Sequence, residues 1–246
     1  MKVFSVIGIS DSGKTTTIEK IIKELIKRNY TVGTVKEIRS HDFKMDVEGT
    51  NTFTHKQAGS SLVTVRGSNE TDIMHQERMS VNDILKCYSQ DFVILEGVRD
   101  TSAPKIVTAH DQEGIESRFD ETVFAISGRI AAEIQEYKGL PAINAMTDIE
   151  KLVDLIEEKT FDYLPDLNCK KCGLSSCKEM SFNILNNNKN RNDCITSNQK
   201  LVVKINGKEL SMIPFVENIF KNTIEAVAKE LKGYSQNGDI EIYIKR

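Results

Sequence analysis

Two groups of residues in this chain of 246 have types and spacing that can do chemistry. The first is the octet Gly8-Ile9-Ser10-Asp11-Ser12-Gly13-Lys14-Thr15, which fits the phosphate-loop pattern GxxxxGK[ST] at every fixed position. Gly8 and Gly13 allow a turn whose N–H groups point inward, so the amides of Gly8, Ser10, Asp11, Ser12 and Gly13 can form a nest for phosphate oxygens. The following helix start adds its positive dipole end. Lys14 is spaced to reach the β- and γ-phosphates, and the Thr15 hydroxyl to bind Mg²⁺. The Asp11 carboxylate would repel a phosphate, so its side chain is expected to point to solvent. The second group is Cys169-x2-Cys172-x4-Cys177-x16-Cys194. Four thiolates with no histidine suit a [4Fe–4S] cluster or tetrahedral zinc. Gly173 permits a tight bend beside Cys172.

These groups need elements to hold them. Residues 2–7 form an apolar, β-branched run, a buried strand, directly before the octet. Ile18, Ile21, Ile22, Leu25 and Ile26 then recur with helical period on one face. Further strands are predicted at 31–35, 62–65, 92–95, 105–108, 123–126 and 142–143, with helices between them. The clearest of these helices is 148–158, with Ile149, Leu152, Val153 and Ile156 in phase. Alternating short apolar strands and helices predict an α/β fold, a mostly parallel sheet covered on both faces, with nucleotide bound at the carboxyl ends of the strands. The run Phe92-Val93-Ile94-Leu95-Glu96 ends in a carboxylate at a strand tip, where Glu96 can organise Mg²⁺ or orient a water. Residues 36–50 are charge-dense and follow a strand, the place of a mobile switch segment; His41 and Asp46 are its candidates for phosphate, Mg²⁺ or substrate contact.

Composition narrows the classes. A net charge of −3 argues against a nucleic-acid binder held by phosphate contacts. No apolar run approaches the ~18 residues of a membrane span, and residues 1–7 do not resemble a signal peptide. The expectation is a cytoplasmic protein. Of five cysteines, Cys87 stands apart behind Ile84 and Leu85 and is expected in the core.

The octet, the segment TVKEIRSHDFKMDVEGTNT, Ala58-Gly59, the strand FVILEGVRD with Pro104-Lys105-Ile106, and LPAINAMTDIEKLVDLIEE stand in one order. Over about residues 1–160 this set resembles the molybdopterin-guanine dinucleotide biosynthesis protein B (MobB) family. The resemblance implies a P-loop GTP-binding protein, usually dimeric, that assists a separate MobA-like guanylyltransferase in attaching GMP to molybdopterin. It implies nucleotide contacts at Gly13, Lys14, Thr15 and Thr16 and functional roles for Lys36, His41, Asp46 and Glu96. Two departures stand in the switch segment: Lys36-Glu37 where the family often has Lys-His, and Gly49-Thr50-Asn51-Thr52 where it often has Gly-Lys-Asp-Ser. No Asn-Lys-x-Asp motif for guanine is present, so Asn144 and Asp148 are the candidate base readers; Asp148 also fits a helix N-cap. GTP and ATP both remain open. The cysteine spacing, with Leu164-Pro165 before it, resembles the [4Fe–4S] module of RnfB-type electron-transfer subunits and of the corrinoid iron–sulfur protein's large subunit. Its 26-residue stretch carries Lys170, Lys171, Lys178, Lys189 and Arg191 against Glu179 and Asp193, a balance that suits an anionic cluster.

The predicted organisation is a nucleotide-binding domain at 1–162, the cysteine module at 163–198 and a small ββαβ unit at 199–246. In the last, Asn206-Gly207 signals a hairpin, Ile219, Thr223, Ile224, Val227, Ala228 and Leu231 form a helical stripe, Gly233 is its C-cap, and Ile240, Ile242 and Ile244 alternate with Tyr243 as a strand. Lys14, Thr15 and Glu96 are the candidate catalytic set. Hydrolysis is expected to be slow, since only Arg39 or Arg66 offers an arginine for the transition state. Two functions follow: a GTP-binding adapter of molybdenum or tungsten cofactor assembly, or a nucleotide-dependent metallochaperone or reductive activator using the cluster. A purely structural metal fold is the third reading of the cysteine module.

Overall fold

A computed structural model of the chain describes residues 1–40, 43–198, 201, 203–205, 208–210, 214–235, 240–242 and 244. It divides into two compact units, Met1–Cys194 and Ile195–Arg246. The four-cysteine segment therefore packs within the same unit as the phosphate loop.

The first unit is built on β1 (Lys2–Gly8), α1 (Lys14–Lys27), β2 (Val32–Lys36), α2 (Asn51–Gln57), β3 (Leu62–Arg66), β4 (Thr71–His75), α3 (Val81–Leu85) and β5 (Phe92–Glu96). It continues through β6 (Lys105–Thr108), α4 (Gln112–Glu116), β7 (Val123–Ser127), β8 (Glu136–Tyr137), β9 (Leu140–Pro141), α5 (Ile149–Lys159) and α6 (Cys177–Leu185). Five parallel strands make the central sheet in the order β2-β5-β1-β6-β7. β1, β5 and β7 are buried on both faces, which is why they read as apolar runs, whereas the edge strand β2 is only half-buried. Phe4, Val6, Ile94 and Ile106 pack against Ile18, Ile21 and Leu25 of α1 and Leu152, Val153 and Ile156 of α5. Val3, Val93 and Leu95 pack on the opposite face with Leu85 and Val98. Arg28 ties the two helices, with Nη1 on Asp154 at 2.7 Å and on Glu157 at 2.6 Å and Nε on Glu24 at 3.0 Å.

Several local expectations change. The 62–65 segment is not in the main sheet: β3 pairs antiparallel with β4 as a separate hairpin. Its burial is confined to Val63, so a short β-branched run was not evidence of a central position. Ala142 makes only an isolated bridge to Ile126. Ile26, on the shoulder of the helical stripe, is exposed, and so is Cys87, which lies just beyond the short α3. Asp148 occupies the N-cap position of α5, yet its side chain makes no capping bond and binds Lys151 instead.

In the second unit, β10 (Lys204–Ile205) pairs antiparallel with β11 (Lys208–Glu209), and α7 (Pro214–Lys229) follows. The Asn206-Gly207 turn and Tyr243 lie outside the described residues. Ile240, Ile242 and Ile244 are exposed and form no strand among the described residues. The α7 stripe, at Ile219 and Val227, is exposed as well.

One buried charge joins the cysteine module to the sheet. The Lys105 side chain at the start of β6 is 0 % exposed. Its ammonium donates to the Thr101 carbonyl at 3.1 Å and lies 3.1 Å from Asp120 Oδ2. Lys178 of α6 reaches the same carboxylate at 3.2 Å. Burial alone would raise the Asp120 carboxyl, but Lys105 and the Thr122 hydroxyl and amide outweigh it and hold it at about 2. Lys105 moves the other way for a charged pair: burial pulls it below its ordinary value despite Asp120. The pair thus offsets the burial of Lys105 more than it adds net stability.

Asp120→Ala is expected to cost ~3–5 kcal/mol in denaturant unfolding, because it leaves a buried ammonium unpaired. Combining it with Lys105→Met should restore most of the loss. The folded Asp120 titrates below its ordinary 3.8, so wild-type stability should fall as pH drops from about 4 toward 2. The double variant should lack that component of the acid loss.

Candidate functional site

The octet closes as a loop between β1 and α1. Gly13 sits at φ 91° as the N-cap of α1, and the first turn of that helix carries no acidic residue. Its open N–H groups and dipole end are thus unopposed by local negative charge. Asp11, at φ 57°, is exposed, as its charge requires. Ser12 is fully buried, and its hydroxyl lies 2.9 Å from that of Thr108 at the end of β6. Ser10 and Thr16 are exposed at the mouth.

Close backbone approach shapes the loop. A Cβ on Gly8 would stand 2.3 Å from the Thr108 carbonyl oxygen. One on Gly128, just past β7, would stand 2.2 Å from the Ser12 carbonyl oxygen, and Gly128 has φ 79°. The Arg129 amide donates to that same Ser12 carbonyl at 3.2 Å. Gly128 thus shapes the loop, and the sequence pattern did not mark it, since a lone glycine after a strand has many uses.

Three predicted residues converge at the carboxyl ends of β1, β2 and β5. Thr15 Oγ1 donates to Glu96 Oε1 at 3.4 Å, and Lys36 Nζ lies 3.4 Å from the same oxygen. The parallel register puts Lys36 directly opposite Glu96. Lys14 curls over the loop, donating to the carbonyls of Gly8 at 3.1 Å and Ile9 at 2.6 Å. Burial lowers its ammonium below the usual lysine range, and Glu96 opposes that. Arg118, which no motif marks, adds to the lowering of Lys14. Burial, together with Arg99 and Arg39, lowers Arg118 in turn. Lys14 and Lys36 are thus cations of the site, and Lys14 feels the charge of Arg118. Such an array is stable with polyanionic phosphate between its members. Arg66 instead ends β3, opposite Thr71 of the hairpin.

The remaining predicted residues are engaged locally. The Asp46 carboxylate accepts from Thr50 at 2.9 Å and Thr52 at 2.8 Å and pairs with Lys56 at 2.9 Å, bracing the start of α2. Lys56 and the two hydroxyls hold its carboxyl at about 2. His41 lies outside the described residues. Asn144 Oδ1 accepts from the Met146 amide at 2.9 Å, and Asp148 is bonded to Thr147 and Lys151.

In the cysteine module, Asp166, Asn168, Lys170 and Gly173 all have left-handed φ, between 48° and 83°. These reversals fold residues 164–173 tightly. Cys172, Cys177 and Cys194 then share one small apolar cluster with Leu164 and Met180, while Cys169 is exposed. Cys177 begins α6, and its amide donates to Asn168 Oδ1 at 2.8 Å. Burial pushes its thiol up, and Asp166, Cys194 and Cys169 add to this. A thiolate there is costly alone and becomes favourable with iron or zinc bound. Among the described residues no three histidine, cysteine or acidic side chains converge as ligands of one ion would. A four-iron cluster asks for one thiolate per iron, and an all-thiol donor set in an apolar pocket fits it.

The family described as "Molybdopterin guanine dinucleotide synthesis protein B" matches residues 3–128, and the family described as "Putative Fe-S cluster" matches residues 164–196. The chain is 30% identical over 251 residues to a "Putative molybdopterin-guanine dinucleotide biosynthesis adapter protein" of Methanocaldococcus jannaschii, covering 99% of this chain and 97% of that one. It is 32% identical over 162 residues to the "Molybdopterin-guanine dinucleotide biosynthesis adapter protein" of Haemophilus influenzae, covering 63% of this chain and 87% of that one. The crystal structure of Bacillus subtilis MobB superposes with a TM-score of 0.54 at 24% identity, over 64% of this chain and 97% of that chain, which shows the shared fold.

Gly128→Ala should strain the backbone by about 1–3 kcal/mol and push against Ser12. Its melting temperature should fall, and its affinity for a fluorescent GTP analogue should fall with it. An unchanged affinity would show that the loop does not depend on this contact.

Proposed function

Because the chain belongs to the MobB family and carries an iron–sulfur cluster domain, with the adapter function of molybdopterin-guanine dinucleotide biosynthesis, we propose that it binds Mg·GTP at the octet and assists a separate guanylyltransferase in attaching GMP to molybdopterin. The observation that carries this reading is the meeting of Thr15, Glu96 and Lys36 beside the glycine loop. The loop amides and Lys14 hold the phosphates. The Thr15 hydroxyl takes a place on Mg²⁺, and Glu96 fixes its water shell. Lys36 orients Glu96 through their ion pair. Arg118 and its arginine neighbours neutralise charge at the outer phosphates. In this reading hydrolysis is slow and the nucleotide serves as a signal or as cargo.

The four cysteines hold a [4Fe–4S] cluster in this reading, with Cys172, Cys177 and Cys194 in the apolar pocket and Cys169 at its open side. When bound, the cluster supplies one-electron redox chemistry or a rigid structural pin. The Lys178–Asp120–Lys105 contact favours a second reading, nucleotide-dependent activation of a metalloenzyme, because it joins the cluster's helix to the strand whose far end touches Ser12. A homodimer and the guanylyltransferase partner belong to the proposal.

The test is guanylation of molybdopterin by the partner enzyme with anaerobically prepared protein. Stimulation by the wild type and none by Lys14→Ala is expected. No stimulation while GTP still binds would move the function to metalloenzyme activation. Lys14→Ala should weaken Mg·GTP binding 10- to 100-fold, the loss of a charge-assisted phosphate contact. Glu96→Gln should keep nucleotide affinity without magnesium and lose most of the gain that magnesium adds. Cys177→Ser should cut bound iron sharply while Mg·GTP affinity stays within about threefold, since the loop and the cluster have separate ligands.

A further inference from the structure

A cavity of about 680 Å³ lies between the β2–β5 edge of the sheet, α3 and the cysteine module. Its lining includes Lys36, whose ammonium is 3.4 Å from Glu96 at the nucleotide site. It also includes Ser176, next in sequence to Cys177, and Asn168, which accepts from the Cys177 amide. Its position therefore touches both candidate centres. The strand order sets which end of a nucleotide faces it. The phosphate loop leaves β1, the cavity is on the β2 side, and the loops after β6 and β7 are on the other side of β1. A nucleotide bound with its base toward β7 presents its terminal phosphate to this cavity.

The geometry points to this cavity as the binding site for a pterin, held between the terminal phosphate of the nucleotide and the iron–sulfur module. The inference rests on the family reading, which places a pterin in this pathway, and names where on this chain it binds. The lining has the right chemistry. Met79 and Val81, backed by the buried Val98, give an apolar wall against which a planar heterocycle can lie. The Asp100 carboxylate, the Asn82 carbonyl oxygen and the Asp166 oxygen not taken by the Ser102 amide offer acceptors to an edge rich in N–H donors. Arg78, paired with Glu37 at 2.8 Å and near Asp100 at 3.8 Å, is 72% exposed and can swing to an anionic substituent. The volume lies within the range of small-molecule sites and exceeds that of a bare ion or a few waters. The cavity shares Lys36 with the nucleotide machinery described above, whereas Met79, Arg78 and Asn82 are not part of it.

The probe is pterin-6-carboxylate, whose own fluorescence reports binding, added to the iron-loaded full chain with Mg·GTP present. Saturable binding is expected. Met79→Trp, which puts an indole into the cavity where the heterocycle would lie, should weaken it at least tenfold. Arg78→Ala, a surface change with little risk to folding, should weaken it several-fold. Both variants should bind Mg·GTP as the wild type does. Pterin affinity unchanged in both variants would overturn the assignment. So would absence of pterin binding up to millimolar concentration in a wild type that still binds GTP. Loss of GTP binding by the wild type would sink the nucleotide reading instead, so the two failures are distinguishable.

Discussion

The phosphate loop depends on backbones that touch without side chains between them. At Gly8 the loop leaves β1 against the Thr108 carbonyl, and at Gly128 the chain past β7 rests on the Ser12 carbonyl. Both contacts are too close for a Cβ. Three neighbouring parallel strands, β1, β6 and β7, therefore fix the loop's shape through main-chain contacts, helped by the Ser12–Thr108 hydroxyl pair. Side chains can repack to absorb small errors, whereas packed backbone cannot, so loop geometry is set by the sheet before any ligand arrives. The rest of the site hangs on this frame. Register across β1, β5 and β2 places Val6, Glu96 and Lys36 in one row, and α1 brings Thr15 to the same point.

Much of this frame was legible in the chain itself. The central strands are apolar along their whole length because both faces are covered, and α1 and α5 show clean helical period because only one face is. The octet is legible because phosphate binding demands particular residues at fixed spacing. What was not legible depended on distance in sequence. The position of 62–65 outside the sheet is decided by its partner β4, and nothing in Leu62-Val63-Thr64-Val65 says which strand it will meet. Cys87 sits beside apolar neighbours, but α3 ends before it and leaves it exposed. Gly128 reaches the loop from the segment past β7, and Arg118, before β7, acts on Lys14 by charge; neither belongs to a local pattern. Asp46 looked like a phosphate-side acid, yet two threonines and Lys56 engage it within ten residues.

The charge pattern explains why one unit carries both candidate centres. Lys14, Lys36 and Arg118 collect positive charge where phosphates would sit, with little acid nearby except Glu96 and Asp11. The cysteine module, by contrast, hides its thiols among Leu164, Met180 and Ile184 and leaves its lysines outside. Each centre is incomplete in its own way: the first repels itself without an anion, and the second makes each thiolate costly without metal. Ligands that fill them add their binding free energy to the stability of the unit that holds both.

That shared unit gives the two centres a physical means of influence. Lys178 on α6 and Lys105 on β6 share Asp120, and the other end of β6 carries Thr108, whose hydroxyl meets Ser12 in the loop. β6 is four residues long and fully buried, so a shift at Lys105 has few ways to dissipate before Thr108. The interaction at its start is also finely balanced, with burial of Lys105 set against a carboxylate shared by two ammonium groups. Coupling by this route requires no large motion, only a strand held at one end by the cluster's helix and at the other by the phosphate loop.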